Sequence, residues 1–141
     1  MILATTGTQL GPRIRQGDAF RRFIRRFRPD GFVHGGARGW DTIAHHAVYQ
    51  AYPDMPFEIF PATEDGSMWN NIGWPGMFMM RAPVPALERN PLIVEAAHWL
   101  LAVPAQDRED DSGTWHTIRC ARARGVPVYV ILSDGRIVNS N

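Results

Sequence analysis

Lysine is absent, and all fifteen cationic side chains of this 141-residue chain are arginines. Coding bias is the plain reading of that absence. The functional one is that the planar guanidinium fork suits phosphate. Either way, any step that needs a cation falls to arginine or to the five histidines. A single cysteine, Cys120, excludes an internal disulfide and fits a reducing compartment, so the cytoplasm is the expected location. No apolar run approaches the ~18–20 residues of a membrane span. The opening Met1-Ile2-Leu3-Ala4 is too short for a signal core and reads as the start of a strand. A net charge of only +1 supplies no global pull toward nucleic acid or acidic membranes. Internal repeats and low-complexity tracts are also missing.

What is present is an ordinary globular composition, 45% hydrophobic and 21% charged, with room for one domain over residues 1–141. Short apolar runs alternate with helical periods. That alternation predicts α/β architecture: a Rossmann-like three-layer sandwich of about five mainly parallel strands flanked by helices. Strands are expected at residues 2–5, 31–34, 57–60, 98–103 and 126–132, and a small edge strand at 137–138. A helix is expected over 18–27, where Phe20, Phe23, Ile24 and Phe27 form one apolar stripe. Arg21, Arg22, Arg25, Arg26 and Arg28 flank it as a solvated face, a DNA-binding basic helix being the alternative. Further helices are expected over 40–51, from an Asn90 cap and Pro91 to 97, and over 113–124, capped by Ser112 and stopped by Gly125. Residues 61–85 show no period and read as one long loop, a lid or a subunit contact.

The run Val33-His34-Gly35-Gly36-Ala37-Arg38-Gly39-Trp40-Asp41 concentrates the chemistry. An apolar strand ends in glycines and a helix begins at once. Glycine permits a tight turn and close approach, and a helix start offers free N–H groups and partial positive charge to a phosphate. Arg38 would add a charge-assisted fork. Asp41 would cap the helix or accept from a ribose hydroxyl. The spacing is not G-x-G-x-x-G, which excludes an ordinary NAD dehydrogenase reading. A second turn, Ser112-Gly113-Thr114, repeats the design after the strand at 98–103. Two such lips on one parallel sheet would lie along its carboxyl edge, where open α/β sheets bind ligands.

Taken in order, Gly35–Thr42, Pro61-Ala62, Arg89-Asn90 and Ser112-Gly113-Thr114 resemble the SLOG superfamily, and within it the YspA-type branch related to the LOG and DprA proteins. The resemblance spans about residues 2–132. It implies a Rossmann-like nucleotide-binding fold with Gly35, Gly36, Arg38, Gly39, Asp41, Arg89, Asn90, Ser112, Gly113 and Thr114 around the ligand. It also implies a homodimer or larger assembly. LOG enzymes, which cleave the N-glycosidic bond of nucleoside monophosphates, carry Pro-Gly-Gly-x-Gly-Thr-x-x-Glu. Here Thr117 stands at the glutamate position and the leading glycines are missing. Binding of a nucleotide or a nucleotide-derived ligand of NAD or ADP-ribose type, as sensor or sequestering module, is therefore expected ahead of turnover.

The alternative is a nucleotide hydrolase or phosphoribohydrolase in which Glu64, Asp65 or Glu88 replaces that glutamate. DprA-like DNA handling is a third reading, disfavoured by the near-neutral charge. His45 and His46 are neighbours on different helix faces, and His34, His98 and His116 are scattered, so neither a metal nor another cofactor is expected. Cys120 reads as a packed thiol. Met68, Trp69, Trp74, Met77, Phe78, Met79 and Met80 make the 61–85 segment apolar, as a lid over a base or a dimer interface would be.

Overall fold

The computed structural model describes residues 1–64 and 73–140. Eleven elements follow along them: β1 (Ile2–Gly7), α1 (Ile14–Phe27), β2 (Gly31–His34), α2 (Trp40–Ala51), β3 (Pro56–Ile59), β4 (Met77–Met80), α3 (Ala86–Glu95), β5 (Trp99–Val103), α4 (Gly113–Ala123), β6 (Val128–Ile131) and β7 (Ile137–Asn139). The strands form one sheet in the order β4-β3-β2-β1-β5-β6-β7. Six of them are parallel, and β7 turns back antiparallel on β6. The architecture is α/β, a Rossmann-like sandwich.

Strand alternation divides the apolar residues between two layers. Leu3, Phe32, Phe57, Leu101 and Ile131 face α1 and α2, joining Phe20, Ile24, Trp40 and Val48. Ala4, Val33, Leu100, Ala102, Val128 and Val130 face α3 and α4, joining Ile93, Val94, Trp115 and Ile118. Trp40 is the pivot of the first layer: fully buried, it meets Phe20 edge-on with ring centroids 4.8 Å apart. Its indole N–H donates to Thr5 Oγ1 at 2.7 Å, and the Thr5 hydroxyl donates to the Leu101 carbonyl at 2.8 Å. Gly7 is what admits the ring, because a Cβ there would stand 2.4 Å from the indole.

Several elements differ from the sequence expectation, each for a local reason. α1 starts at Ile14 instead of Asp18, because Gln16 accepts from the Arg13 backbone N–H at 2.9 Å and starts the helix early. Residues 61–85 are not one loop: β4 adds a strand beside β3, bringing the sheet to seven strands. Asn90 is not a cap. Helix α3 begins four residues earlier at Ala86, whose N–H is taken by the Glu64 carboxylate at 2.8 and 2.9 Å, and Pro91 lies inside it. That early start turns Arg89 and Asn90 inward, both nearly buried.

From β1 the chain steps outward through β2, β3 and β4, then returns to β5 beside β1 and steps the other way to β6. Strand order therefore reverses between β1 and β5. The loops that follow these two strands part at their carboxyl ends, which is where doubly wound sheets open a crevice.

Candidate functional site at the β1/β5 switch point

A cleft of about 350 Å³ lies at this reversal. One wall is the end of β1 and the loop after it, with Thr6, Gly7, Thr8, Gln9 and Leu10. The other is Ala105 and the start of α4, with Ser112, Gly113 and Thr114. Ala37, Asp41, Ala86, Arg89 and Asn90 complete it. Six of the ten ligand residues expected from the sequence thus converge: Asp41, Arg89, Asn90, Ser112, Gly113 and Thr114. Gly35, Gly36, Arg38 and Gly39 do not line the cleft.

The reason lies in where the turn's N–H groups go. Gly35 and Ala37 both donate to Asp41 Oδ2 at 3.2 Å, Gly36 donates to His34 Nδ1 at 3.0 Å, and Trp40 donates to the Thr8 carbonyl at 3.0 Å. The first anion lip is already filled by the protein's own carboxylate. Its glycines serve packing: a Cβ on Gly35 would meet the Arg89 guanidinium at 2.4 Å. One on Gly39 (φ 77°) would meet the Gln9 carbonyl oxygen at the same distance. Arg38 is exposed.

The second lip is different. Ser112 caps α4 by accepting from the Trp115 N–H at 3.4 Å, and its backbone carbonyl takes the His116 N–H. Ahead of these bonds, the α4 start presents Gly113 and the nearly buried Thr114 to the cleft. The unspent donors and the dipole of this helix start face the same space.

Asp41 closes the arrangement. It is 6% exposed, and while Oδ2 holds the turn, Oδ1 is buried without a hydrogen-bond partner among the described residues. Burial pushes its carboxyl up to about 6, opposed by the Arg89 charge and the two backbone donors. Arg89 is committed to the protein: Nε donates to Asn90 Oδ1 at 2.9 Å, and Nη1 to the carbonyls of Gly35 and Phe60 at 2.8 and 2.9 Å. It acts on the cleft through its charge and by fixing Asn90, whose amide in turn donates to His116 Nδ1 at 3.1 Å.

Beneath the turn, His34, which the sequence reading left scattered, is paired with His45, which it set beside His46. His34 Nε2 lies 2.8 Å from His45 Nδ1, and His45 Nε2 lies 2.8 Å from the Pro75 carbonyl. Since Gly36 N–H occupies His34 Nδ1, one tautomeric chain satisfies every contact: backbone to His34, His34 to His45, His45 to Pro75. Both rings are fully buried. Burial holds His34 well below the ordinary histidine range, and draws His45 down to about 4. Trp74 packs against both, with centroids 5.0 and 4.9 Å away, and Phe57 stacks on His45 at 3.7 Å. Trp74 is therefore an interior residue. The signal available in the sequence was the apolar company of His34 at the end of β2.

Two of the three proposed replacement carboxylates, Glu64 and Glu88, are elsewhere. Glu64 is spent on the start of α3, and those backbone bonds hold its carboxyl below the usual range. Glu88 is exposed and outside the cleft lining. Asp65, with Met68 and Trp69, lies outside the described residues. Burial raises the Cys120 thiol, as for a packed side chain. Among the described residues no three metal-ligating side chains converge, and no helix is long and apolar enough to cross a membrane.

No protein-family model and no curated protein sequence matches the chain. Among solved structures, the X-ray structure of TM1055, a structural genomics target, superposes with a TM-score of 0.61. It does so at 16% identity, over 90% of this chain and 71% of that one. The likeness is one of fold, and it agrees with the Rossmann-like sandwich described above.

Proposed function

We propose that the chain binds a nucleotide or nucleotide-derived ligand in the β1/β5 cleft, as a sensor or sequestering module drawing on a cytoplasmic pool. Membership of the SLOG superfamily belongs to the same proposal. The observation that carries it is Asp41 Oδ1, a buried acceptor with no partner among the described residues, in a cleft shared with an open helix start. A buried acceptor of this kind costs free energy until a donor reaches it. A ribose hydroxyl supplies that donor while phosphate oxygens take the donors at Gly113 and Thr114. The volume, about 350 Å³, is at the small end of ligand sites and suits one nucleotide unit. Isothermal titration with AMP, ADP-ribose and NAD tests the reading, with Asp41→Asn alongside. Binding that survives this replacement undiminished would refute it.

One observation favours a second reading, hydrolysis of the N-glycosidic bond. A carboxylate tuned to about 6 accepts a proton near neutral pH. Asp41 would take a proton from the attacking water as the water oxygen bonds to the anomeric carbon and the bond to the base breaks. That proton would pass to the departing base nitrogen, and Asp41 would fill the role of the glutamate missing at Thr117. Free base released by the wild type and not by Asp41→Asn would establish turnover. Self-association through the exposed strand β4 is also part of the proposal.

A further inference from the structure

A groove larger than this cleft lies away from it, on the helical layer between α1 and α2. It encloses about 610 Å³ and is lined by Arg21, Arg25, Arg28, Gln50 and Tyr52. From this groove we infer a second site, which holds the phosphodiester backbone of a nucleic acid strand independently of base sequence.

The first ground is charge placement. Five of the fifteen arginines fall between residues 21 and 28, with no acidic residue among them. A chain of net charge +1 therefore has an acidic excess everywhere else. Of the three groove arginines only Arg21 has an ion-pair partner among the described residues, Asp18 at 3.8 Å, and both are exposed. The competing explanation is that these arginines merely compensate helix dipoles, since the groove follows the later turns of both helices. Two helix ends carry together about one unit of negative partial charge. Three guanidiniums exceed that, and Arg22 and Arg26 flank them on the same helix.

The second ground is spacing and residue type. Arg21 and Arg25 stand one turn apart, about 6 Å along the axis, and Arg28 continues the row at the cap. Since a duplex strand carries one charge per ~3.4 Å of its axis, successive arginines meet different phosphates. Guanidinium binds phosphate oxygens two at a time. A lipid surface fits less well, because the one large aliphatic exposed on α1, Ile14, stands two turns before Arg21 and outside the groove, and the other exposed residues of the helix are Arg and Asp.

The third ground is the backbone at Arg28. It caps α1 in the left-handed region, at φ 50° and ψ 66°, and is the one non-glycine residue at positive φ among the described residues. Glycine is the usual occupant of such a position. An arginine in that place puts a third guanidinium in the lining of the groove.

Fluorescence anisotropy of a labelled 20-nucleotide single strand, with the full chain at 50 and 200 mM salt, tests the inference. Three released counterions predict that the wild-type affinity falls roughly twentyfold between the two salt concentrations. R21Q/R25Q/R28Q weakens binding at least tenfold at 50 mM. R108Q/R124Q/R136Q, which removes equal charge elsewhere, changes it less than threefold. Arg28→Gly weakens binding while holding or raising the Tm, which separates the groove from fold stability. The inference is overturned by no binding at 50 mM salt, by equal losses in the two triple variants, or by binding to anionic phosphatidylserine vesicles and not to the strand.

Discussion

At the scale of single residues, Asp41 and Gly7 show how one side chain serves the fold and the cleft at once. Asp41 spends one oxygen on the Gly35–Ala37 turn and leaves the other without a partner among the described residues. Asn at this position keeps an acceptor for the turn and replaces the free oxygen with a donor. Asp41→Asn is therefore expected to lower nucleotide affinity tenfold or more, a hydrogen bond to a charged group being worth ~1.5–3 kcal/mol. Its Tm at pH 7 should hold or rise, because a neutral amide replaces a carboxylate whose charged form burial disfavours. Titration calorimetry and a thermal melt on the same sample separate the two effects. Gly7 tests the packing side. A methyl group there meets a fully buried indole with no room to retreat. Gly7→Ala should cost about 2–3 kcal/mol, near the upper end for overpacking. A urea midpoint within error of wild type would show that Trp40 moves aside, contrary to this account.

At the scale of elements, the His34–His45 chain ties the end of β2 to α2 and to Pro75, so its protonation state bears on the whole corner. Both rings have folded-state values below the ordinary 6.5, so the unfolded chain binds protons first. Their stabilising contribution is intact above pH 6.5 and is lost as pH falls toward 4. Asp41 runs the other way: its carboxyl near 6 lies above the ordinary 3.8. Its contribution is full below 3.8 and is lost as pH rises through 6. Each group contributes a slope of about 1.4 kcal/mol per pH unit within its window. Two histidines against one aspartate leave a net loss on acidification between 6 and 4. Removing Asp41 as a titrating group should make the loss steeper. Urea midpoints at half-unit pH steps for wild type and Asp41→Asn would show this, and superimposable pH profiles would sink it.

These same elements show what a sequence can disclose. β2 and α2 were legible because an unbroken apolar run and a helical period meet at a glycine turn, and both have the bounds expected. The α4 cap was legible because Ser112 acts locally. β4 was not, since Met77–Met80 carries no alternation and lies among Gly and Pro. α3 misled because Asn90-Pro91 has the form of a cap, while the group that starts the helix, Glu64, is 22 residues away. In the cleft, the residue types were readable and their use was not. The turn at Gly35–Gly39 has the composition of a phosphate loop, but Asp41 consumes its donors. The loop after β1 lines the cleft only because strand order reverses beside it.

At the scale of the whole molecule, the sheet has two edges and they are treated differently. One ends in β7, short and antiparallel, turned back by Ser133–Arg136. The other ends in β4, where Met77, Phe78 and Met79 are 60%, 45% and 54% exposed. Natural edge strands are guarded by charge, proline or a bulge, and none of these occurs within Met77–Met80. The nearest charges, Glu58 and Arg81, neutralise each other at 2.5 Å. Side chains alternate along a strand, so Met77 and Met79 share one sheet face and Phe78 takes the other. A second copy pairing along β4 would cover all three and satisfy the outer backbone groups, which a lid closing on one face would not. Sedimentation velocity at tens of micromolar should show a dimer. M77E/M79E places like charges across that seam and should shift it to monomer with nucleotide affinity unchanged, because β4 lines no part of the β1/β5 cleft. A wild-type chain that stays monomeric at that concentration would assign the exposed strand to something other than self-association.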